Sequence, residues 1–310
     1  MDKILILTDG KAGHENQSKA LVRAMGFEFD VVRTTFSFPG AKAFSYVFDN
    51  IGVRSCALFR LEKKISCSDG YRAVVGTGSG TFYAVKATAK RLGVKSAVVL
   101  YPRGYNMKSF DAIFAPCFDR PAKAANIIEA PANIVANDVA FYEAGVKAFL
   151  ENGGALPSNR DAVSVIIGGP NKRSSMTASW MKEELDNVFA SNKGALFWVT
   201  TSRRTPADVE KVVESYPWDY SLIYSKNHFN PIPAFVSLST KLYVTAESTG
   251  MLSEACTCGA ARVEVLDDLV GDGGKYRRFV SSLVEGGYVG GSRKIDLSAQ
   301  FARAKELLGL

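Results

Sequence analysis

Residues 244–265 read Val-Thr-Ala-Glu-Ser-Thr-Gly-Met-Leu-Ser-Glu-Ala-Cys-Thr-Cys-Gly-Ala-Ala-Arg-Val-Glu-Val. An apolar run ends in a polar turn, a helix opens on small hydroxyl residues, and a second apolar run follows. Strand, crossover helix and parallel strand form the right-handed unit of doubly wound α/β sheets. The junction also suits an anion. Free N–H groups in a helix's first turn sit at its positive end, and Ser248, Thr249 and Gly250, before Met251, put little side chain in the way. Glu254, about one and a half turns into the helix, is placed to accept hydrogen bonds from ribose hydroxyls. Together these features predict a nucleotide-sugar site.

The same alternation runs through the rest of the chain. In the first half, residues 4–8, 27–32, 73–76, 96–101 and 112–116 read as strands, with helical patterns at 15–25, 41–61 and 81–92. In the second half the strands are 162–168, 195–200, 221–224, 241–245 and 261–265, and the helices 177–190, 207–215, 231–238, 250–258 and 275–285. The pattern predicts an α/β chain of two Rossmann-like domains with parallel sheets. Two domains also suit a length of 310 residues. A Gly/Pro/Asn-rich stretch, Glu151-Asn-Gly-Gly-Ala-Leu-Pro-Ser-Asn-Arg160, follows a helical pattern at 138–150 and marks the expected linker. The domains are then 1–152 and 160–310, with a last helix at 298–308 that caps the assembly or packs back on the first domain.

Composition sets limits on function. With 47% hydrophobic and 22% charged residues, the chain can bury a sizeable core and is not expected to be disordered. No apolar run approaches the roughly 18 residues of a membrane-spanning helix. Met1-Asp-Lys-Ile-Leu-Ile-Leu-Thr8 is a strand pattern rather than a secretory leader, so a cytoplasmic location is expected. The net charge of +7, from 38 basic and 31 acidic residues, favours nucleotides, phosphorylated substrates or an anionic membrane face. Nucleic acid is not an expected partner, because no basic run is interleaved with aromatics. The five scattered cysteines read as reduced thiols, and Cys256-Thr-Cys258 lacks the spacing and partners of a metal site.

Ligands of parallel sheets bind beyond the carboxyl ends of the strands, where this chain is polar and glycine-rich. The loops are Thr8-Asp-Gly-Lys-Ala-Gly-His-Glu-Asn-Gln-Ser18, Gly76-Thr-Gly-Ser-Gly-Thr81, Gly168-Gly-Pro-Asn-Lys-Arg173, Thr200-Thr-Ser-Arg-Arg-Thr205 and the turn at 245–250. Five such loops at equivalent ends of two sheets predict a cleft between the domains. Asp9 has helix capping as its plain alternative, but His14, with Lys11, Glu15, Asn16 and Gln17 around it, exceeds what a cap needs. The glycine spacing at 76–80 is wrong for G-x-G-x-x-G, and no acidic residue follows at the expected distance, which argues against NAD. Gly169 and Lys172, and then Ser202, Arg203 and Arg204, suit phosphate, because a guanidinium pairs phosphate oxygens in bidentate fashion. Thr205 before Pro206 is also a helix-start signal. Asn230, in His228-Phe-Asn-Pro231, either caps the next helix or reads a base.

These loops carry a resemblance. Thr8–Ser18, Gly168-Gly-Pro-Asn-Lys172, Thr200-Thr-Ser-Arg-Arg-Thr-Pro206 and Thr245-Ala-Glu-Ser-Thr-Gly-Met-Leu-Ser-Glu-Ala255, in that order over nearly the whole chain, resemble the mitochondrial fission Elm-type family, widespread in bacteria. The resemblance implies a GT-B-like architecture, as in many glycosyltransferases and UDP-N-acetylglucosamine 2-epimerase. It sets the two sheets facing across a cleft, with the acceptor side in the first domain and the donor side in the second. Members tend to carry Arg-Arg after the third strand and Asp-Pro-Arg after the fourth; here Gly78-Ser-Gly80 and Tyr101-Pro-Arg103 stand at those places.

For chemistry, the resemblance implies glycosyl transfer with no metal or other cofactor, from a nucleoside-diphosphate sugar to a cell-envelope or other acceptor. Helix N-termini and basic side chains offset the charge on the leaving diphosphate. That part falls to Lys172, Arg203 or Arg204, and the backbone around Ser248–Gly250; Gly169, Ser202, Asn230 and Met251 complete the donor-binding set, with Glu254 or Glu247 on the ribose. No Asp-x-Asp occurs in the chain, so a metal-clamping pair is not evident. The base for the acceptor is sought among Asp9, His14 and Glu15, histidine being the side chain whose intrinsic pKa lies nearest neutrality. The same donor site suits a nucleotide-sugar epimerase or hydrolase, and the family name a non-enzymatic, membrane-associated interaction protein. Phe36-Ser-Phe-Pro-Gly-Ala-Lys-Ala-Phe-Ser-Tyr-Val-Phe48, if helical, exposes large apolar groups beside few charges, as a peripheral contact with the inner face of an anionic membrane requires. Its alternative is a core-packed helix.

Overall fold

The computed structural model describes residues 3–135 and 139–310. They form two compact units, Met1–Ala136 with Asp296–Leu310, and Asn137–Ile295. In the first unit the strands are β1 (Lys3–Thr8), β2 (Glu28–Phe36), β3 (Phe59–Leu61), β4 (Tyr71–Thr77), β5 (Lys95–Val99), β6 (Ala112–Pro116) and β7 (Ile127–Ala130). Their order is β3-β2-β1-β4-β5-β6-β7. All neighbours are parallel except β2 and β3. Helices α1 (Ala12–Ala24), α2 (Ala41–Asn50) and α3 (Phe82–Leu92) connect them. Ile4–Leu7 and Ala73–Val75 are wholly buried, which is why these central strands read as unbroken apolar runs.

The helical pattern expected over 41–61 is corrected by the structure. Helix α2 ends at Asn50, Gly52 turns the backbone left-handed (φ +79°), and Phe59, Arg60 and Leu61 pair antiparallel with Phe36, Thr35 and Thr34. Burial of Phe59 in the core favours the edge strand over more helix. Strand β7 is an addition that four residues of sequence did not reveal.

The second unit has a fully parallel sheet of β8 (Ala162–Ile166), β9 (Leu196–Thr200), β10 (Tyr220–Leu222), β11 (Lys241–Thr245) and β12 (Arg262–Leu266), ordered β10-β9-β8-β11-β12. Its helices are α4 (Val139–Glu151), α5 (Ala178–Ser191), α6 (Ala207–Glu214), α7 (Ile232–Leu238), α8 (Thr249–Thr257) and α9 (Gly274–Glu285). Helix α4 lies in this unit, not in the first as the linker at 151–160 implied. Gly145 lets α4 approach α7 so closely that a Cβ there would sit 2.5 Å from Pro233 Cβ. Phe149 is buried against Trp198, Tyr220 and Phe235, with ring centroids 5.0, 4.7 and 6.0 Å away, an aromatic cluster that fixes the helix. Asp138, the expected start of this helix, lies outside the described residues. The last helix, α10 (Ser298–Leu308), packs in the first unit: Phe301 meets Phe114 at 6.1 Å, and Arg303 donates to the Ala125 carbonyl.

Each sheet reverses its strand order once, between β1 and β4 in the first unit and between β8 and β11 in the second. Such reversals open a crevice at the carboxyl ends of the strands, where doubly wound sheets bind ligands.

Candidate functional site

At the first reversal the loops after β1 and β4 meet. His14 Nδ1 lies 3.1 and 3.0 Å from Asp9 Oδ1 and Oδ2. Because an ionised carboxylate only accepts, Nδ1 carries the proton of this pair, and among the described residues no hydrogen bond occupies Nε2. Two glycines make the pairing possible. A Cβ on Gly78, whose φ is +81°, would collide with the His14 ring, and one on Gly80 would lie 2.8 Å from Asp9 Oδ2. Lys11 adds its backbone N–H at 3.3 Å and its ammonium at 3.2 Å to Asp9. Burial raises the Asp9 pKa, but the His14 charge and the Lys11 and His14 hydrogen bonds outweigh it, so the carboxyl is held below its ordinary value.

Glu15 is not part of this pair. Its carboxylate bonds Lys19 one helical turn on, at 2.6 Å, and the Lys19 hydrogen bond, with help from the Thr8 hydroxyl, keeps its pKa low despite burial. Arg33, which the sequence did not single out, stands in β2 opposite Thr8 and lies over the loop: a Cβ on Gly10 would sit 3.3 Å from its guanidinium. The Lys42 ammonium reaches Ser79 Oγ at 3.0 Å, tying α2 to the loop that seats the pair. Arg103 instead lies over the Tyr101 ring and donates to the Asp119 carbonyl.

At the second reversal Glu247 points inward, 2% exposed, and accepts the Gly169 N–H at 2.7 Å. Gly168 has no room for a Cβ beside Glu247 Oε1, nor Gly169 beside the Arg204 backbone. The Gly168 N–H bonds Thr245 Oγ1 at 2.9 Å, while Thr205 Oγ1 donates to the Gly168 carbonyl and accepts from Ser202 N–H at 2.9 Å. Thr205 therefore staples two loops and does not cap α6, whose N-cap is Pro206. Ser202 Oγ in turn accepts from Arg204 N–H at 3.2 Å. Burial raises the Glu247 pKa above its ordinary value, against the Thr245 and backbone hydrogen bonds and the Arg204 charge. Of the two adjacent arginines, both exposed, it is Arg204 that joins this cluster.

Glu247 leads into α8. Its N-cap, Ser248, makes no side-chain cap bond, and Gly250 faces open space, so the first turn is unobstructed. Met251 is half-buried in that turn, and the Thr249 carbonyl accepts from Ser253 Oγ at 2.6 Å. Glu254 is half-buried and turned to α4, where it accepts from the Tyr142 hydroxyl at 3.2 Å. Burial pushes its pKa up to about 6, against the Tyr142 hydrogen bond. Lys172 and Arg203 are exposed. Asn230 spends its side-chain oxygen on Ile232 N–H at the entry to α7. Asp268, missed in the sequence, is 4% exposed just past β12, and burial followed by the Glu247 charge lifts its pKa to about 7. The rule that singled out the other strand ends applies to Asp267-Asp268 equally well. Cys256 and Cys258 are buried free thiols.

Residues 12–300 match the family described as Mitochondrial fission ELM1. An uncharacterized protein of Rickettsia prowazekii is 30% identical over 109 residues, a stretch amounting to 33% of this chain and 31% of that protein. The chain thus spans about a third of that relative. Among solved structures, the putative UDP-N-acetylglucosamine 2-epimerase of Listeria monocytogenes is similar over 100% of this chain and 89% of its own, with TM-score 0.56 and 14% identity. The UDP-GlcNAc 2-epimerase of Neisseria meningitidis bound to UDP-GlcNAc is similar over 100% and 98%, with TM-score 0.51 and 13% identity. At these identities the likeness is one of fold, and the fold is GT-B-like, an α/β chain of two Rossmann-like units. With the family matched over nearly its whole length, the chain belongs to the mitochondrial fission ELM1 family.

Proposed function

We propose that this protein binds a nucleoside-diphosphate sugar in its second unit and transfers the sugar to an acceptor hydroxyl activated in its first. The diphosphate meets the open first turn of α8 from Ser248 to Met251, with Arg204, Ser202, Gly169 and Lys172 beside it. These supply positive charge and N–H donors where negative charge develops. Glu254 takes the ribose, exchanging its Tyr142 hydrogen bond for one from a ribose hydroxyl. The inward-facing Glu247 holds the Gly168–Gly169 loop in position rather than touching the ligand. The observation that carries the chemistry is the Asp9–His14 pair, seated against Gly78 and Gly80. Asp9 fixes the tautomer with Nδ1 protonated and leaves Nε2 as the base. The acceptor oxygen forms its bond to the anomeric carbon, the bond from that carbon to the diphosphate breaks, the electron pair leaves with the diphosphate, and the acceptor proton passes to His14 Nε2.

Incubation with a panel of nucleotide sugars tests this reading. Nucleoside diphosphate released only when an acceptor is added, and lost in His14→Gln while the donor still binds, supports transfer. A free sugar or an epimer formed without acceptor points to an epimerase or hydrolase on the same donor site. The acceptor lies at the inner face of an anionic membrane in this reading.

A further inference from the structure

Helix α2 packs Tyr46 and Phe48 against the core yet keeps a second apolar stripe on its outer side. Its buried positions are Ala41, Ser45 and Asp49, while Phe44, Val47 and Ile51, one and two turns apart on the opposite side, are 51%, 57% and 66% exposed. A helix on a water-facing surface shows the reverse pattern. The rotation is locked. Asp49 accepts from Lys86 Nζ on α3 at 2.8 Å to both oxygens and from the Asn106 N–H at 2.6 Å, and Arg54 pairs with it at 3.2 Å. Ser45 Oγ bonds the Tyr105 hydroxyl at 3.0 Å. With its polar side committed to the core, α2 cannot roll Phe44, Val47 and Ile51 inward. Phe38, also exposed, extends the patch, its ring 6.1 Å from Phe44.

We propose that this face is a docking element for an anionic lipid bilayer. The charges around it favour that occupant. The single acid of α2, Asp49, is buried and paired, so no carboxylate stands on the outward side. Lys42 is exposed on the helix, and Lys108 is exposed on the loop that Asn50 and Arg54 bond at Gly104 and Ser109. Over residues 33–64 there are six basic and two acidic residues. Exposed Phe, Val and Ile flanked by lysines match a helix lying in the interface plane, its apolar side below the headgroups and its cations at the phosphates. Lys42 also holds Ser79 of the loop that seats Asp9 and His14, so docking through α2 brings that pair to the lipid surface. The proposal deepens the membrane reading above but needs no nucleotide, so it fails or stands separately from donor binding.

The test is sedimentation of the full chain with vesicles of phosphatidylcholine alone and of phosphatidylcholine with an equal part of phosphatidylglycerol. The expected result is retention on the anionic vesicles at low salt, release at high salt, and a partition lowered more than about tenfold in Phe44→Ser/Val47→Ser/Ile51→Ser. That triple variant keeps its circular dichroism and melting point, because the three side chains face solvent. Charge reversal, Lys42→Glu/Lys108→Glu, weakens retention on the anionic vesicles. Absence of retention on both lipids, or equal retention of the triple variant, overturns the proposal. So does a dimer in sedimentation velocity that the triple variant dissolves, because the face then belongs to a second copy.

Discussion

Glu247 and Asp268 each stand two residues past the end of their strand, and those strands, β11 and β12, are parallel neighbours whose last residues, Thr245 and Leu266, are in register. The sheet therefore delivers two carboxyl groups to one buried place, where each disfavours the other's charge. Glu247 accepts from the Gly169 N–H and the Asp268 carbonyl from the Ser175 N–H, so the pair's protonation bears on the fold and on the proposed donor site together.

Stability should fall as pH rises from about 4 to about 7. The Asp268 pKa lies near 7 in the fold and near 3.9 in an unfolded chain. Between those values the native state holds a proton that the unfolded state has lost, and stability declines through the window. Glu254, at about 6, and Glu247, also raised, act in the same direction. Asp9 and Glu15, both lowered, act only at more acid pH. Melting points at pH 5 and pH 8 read this out as a higher value at pH 5, with the gap narrowed in Asp268→Asn. An equal gap in that variant would mean that Asp268 is not the group titrating.

Gly78→Ala should displace His14. The new Cβ meets the imidazole and also adopts a left-handed backbone, costing about 1–2 kcal/mol. Gly26→Ala is the control, since it has the same φ of +81° but nothing within 4 Å of its Cβ. Both variants should lose the backbone contribution, and Gly78→Ala more besides, because only its Cβ meets a neighbour. Only Gly78→Ala should change the nitrogen resonances of the His14 ring, and unchanged resonances would show that the ring does not need that space.

Breaking the ion pair under α2 should be costly. Lys86 is buried beside Asp49 and over the Phe110 ring at 3.8 Å, and burial lowers its pKa to about 8 despite the Asp49 carboxylate. Lys86→Met leaves Asp49 short of a partner and should cost about 3–5 kcal/mol in urea unfolding. Asp49→Leu with Lys86→Met should recover part of that loss, because the two facing charges are removed together while Arg54, which loses its carboxylate partner, keeps the residue-49 and Val53 carbonyls and the Ser109 hydroxyl. A double variant no better than the single one would contradict the account of the lock.

The sheets were legible in sequence because parallel strands covered on both faces are largely apolar, as Ile4–Leu7 and Ala73–Val75 are throughout. Strand β3 was not, because Phe59-Arg-Leu61 continues the apolar spacing of α2 and only pairing with β2 decides its conformation. The strand-end rule found Asp9, His14, Gly169 and Glu247. It did not show that Gly78 and Gly80 are glycine to admit Asp9 and His14, since that depends on loops far apart in sequence meeting at the β1–β4 reversal. Arg203 and Arg204 are equivalent on paper, and only the packing of Arg204 on Gly169 separates them.

Titration of the full chain with a panel of nucleoside diphosphates and their sugar conjugates, read by calorimetry and by melting point, tests the donor site most directly. Ligand held by the folded state raises the melting point by mass action. The account predicts binding of one nucleotide class, weakened about tenfold or more by Arg204→Ala and little changed by Arg203→Ala. No heat and no shift with any nucleotide at millimolar concentration, or equal losses in the two arginine variants, would contradict it.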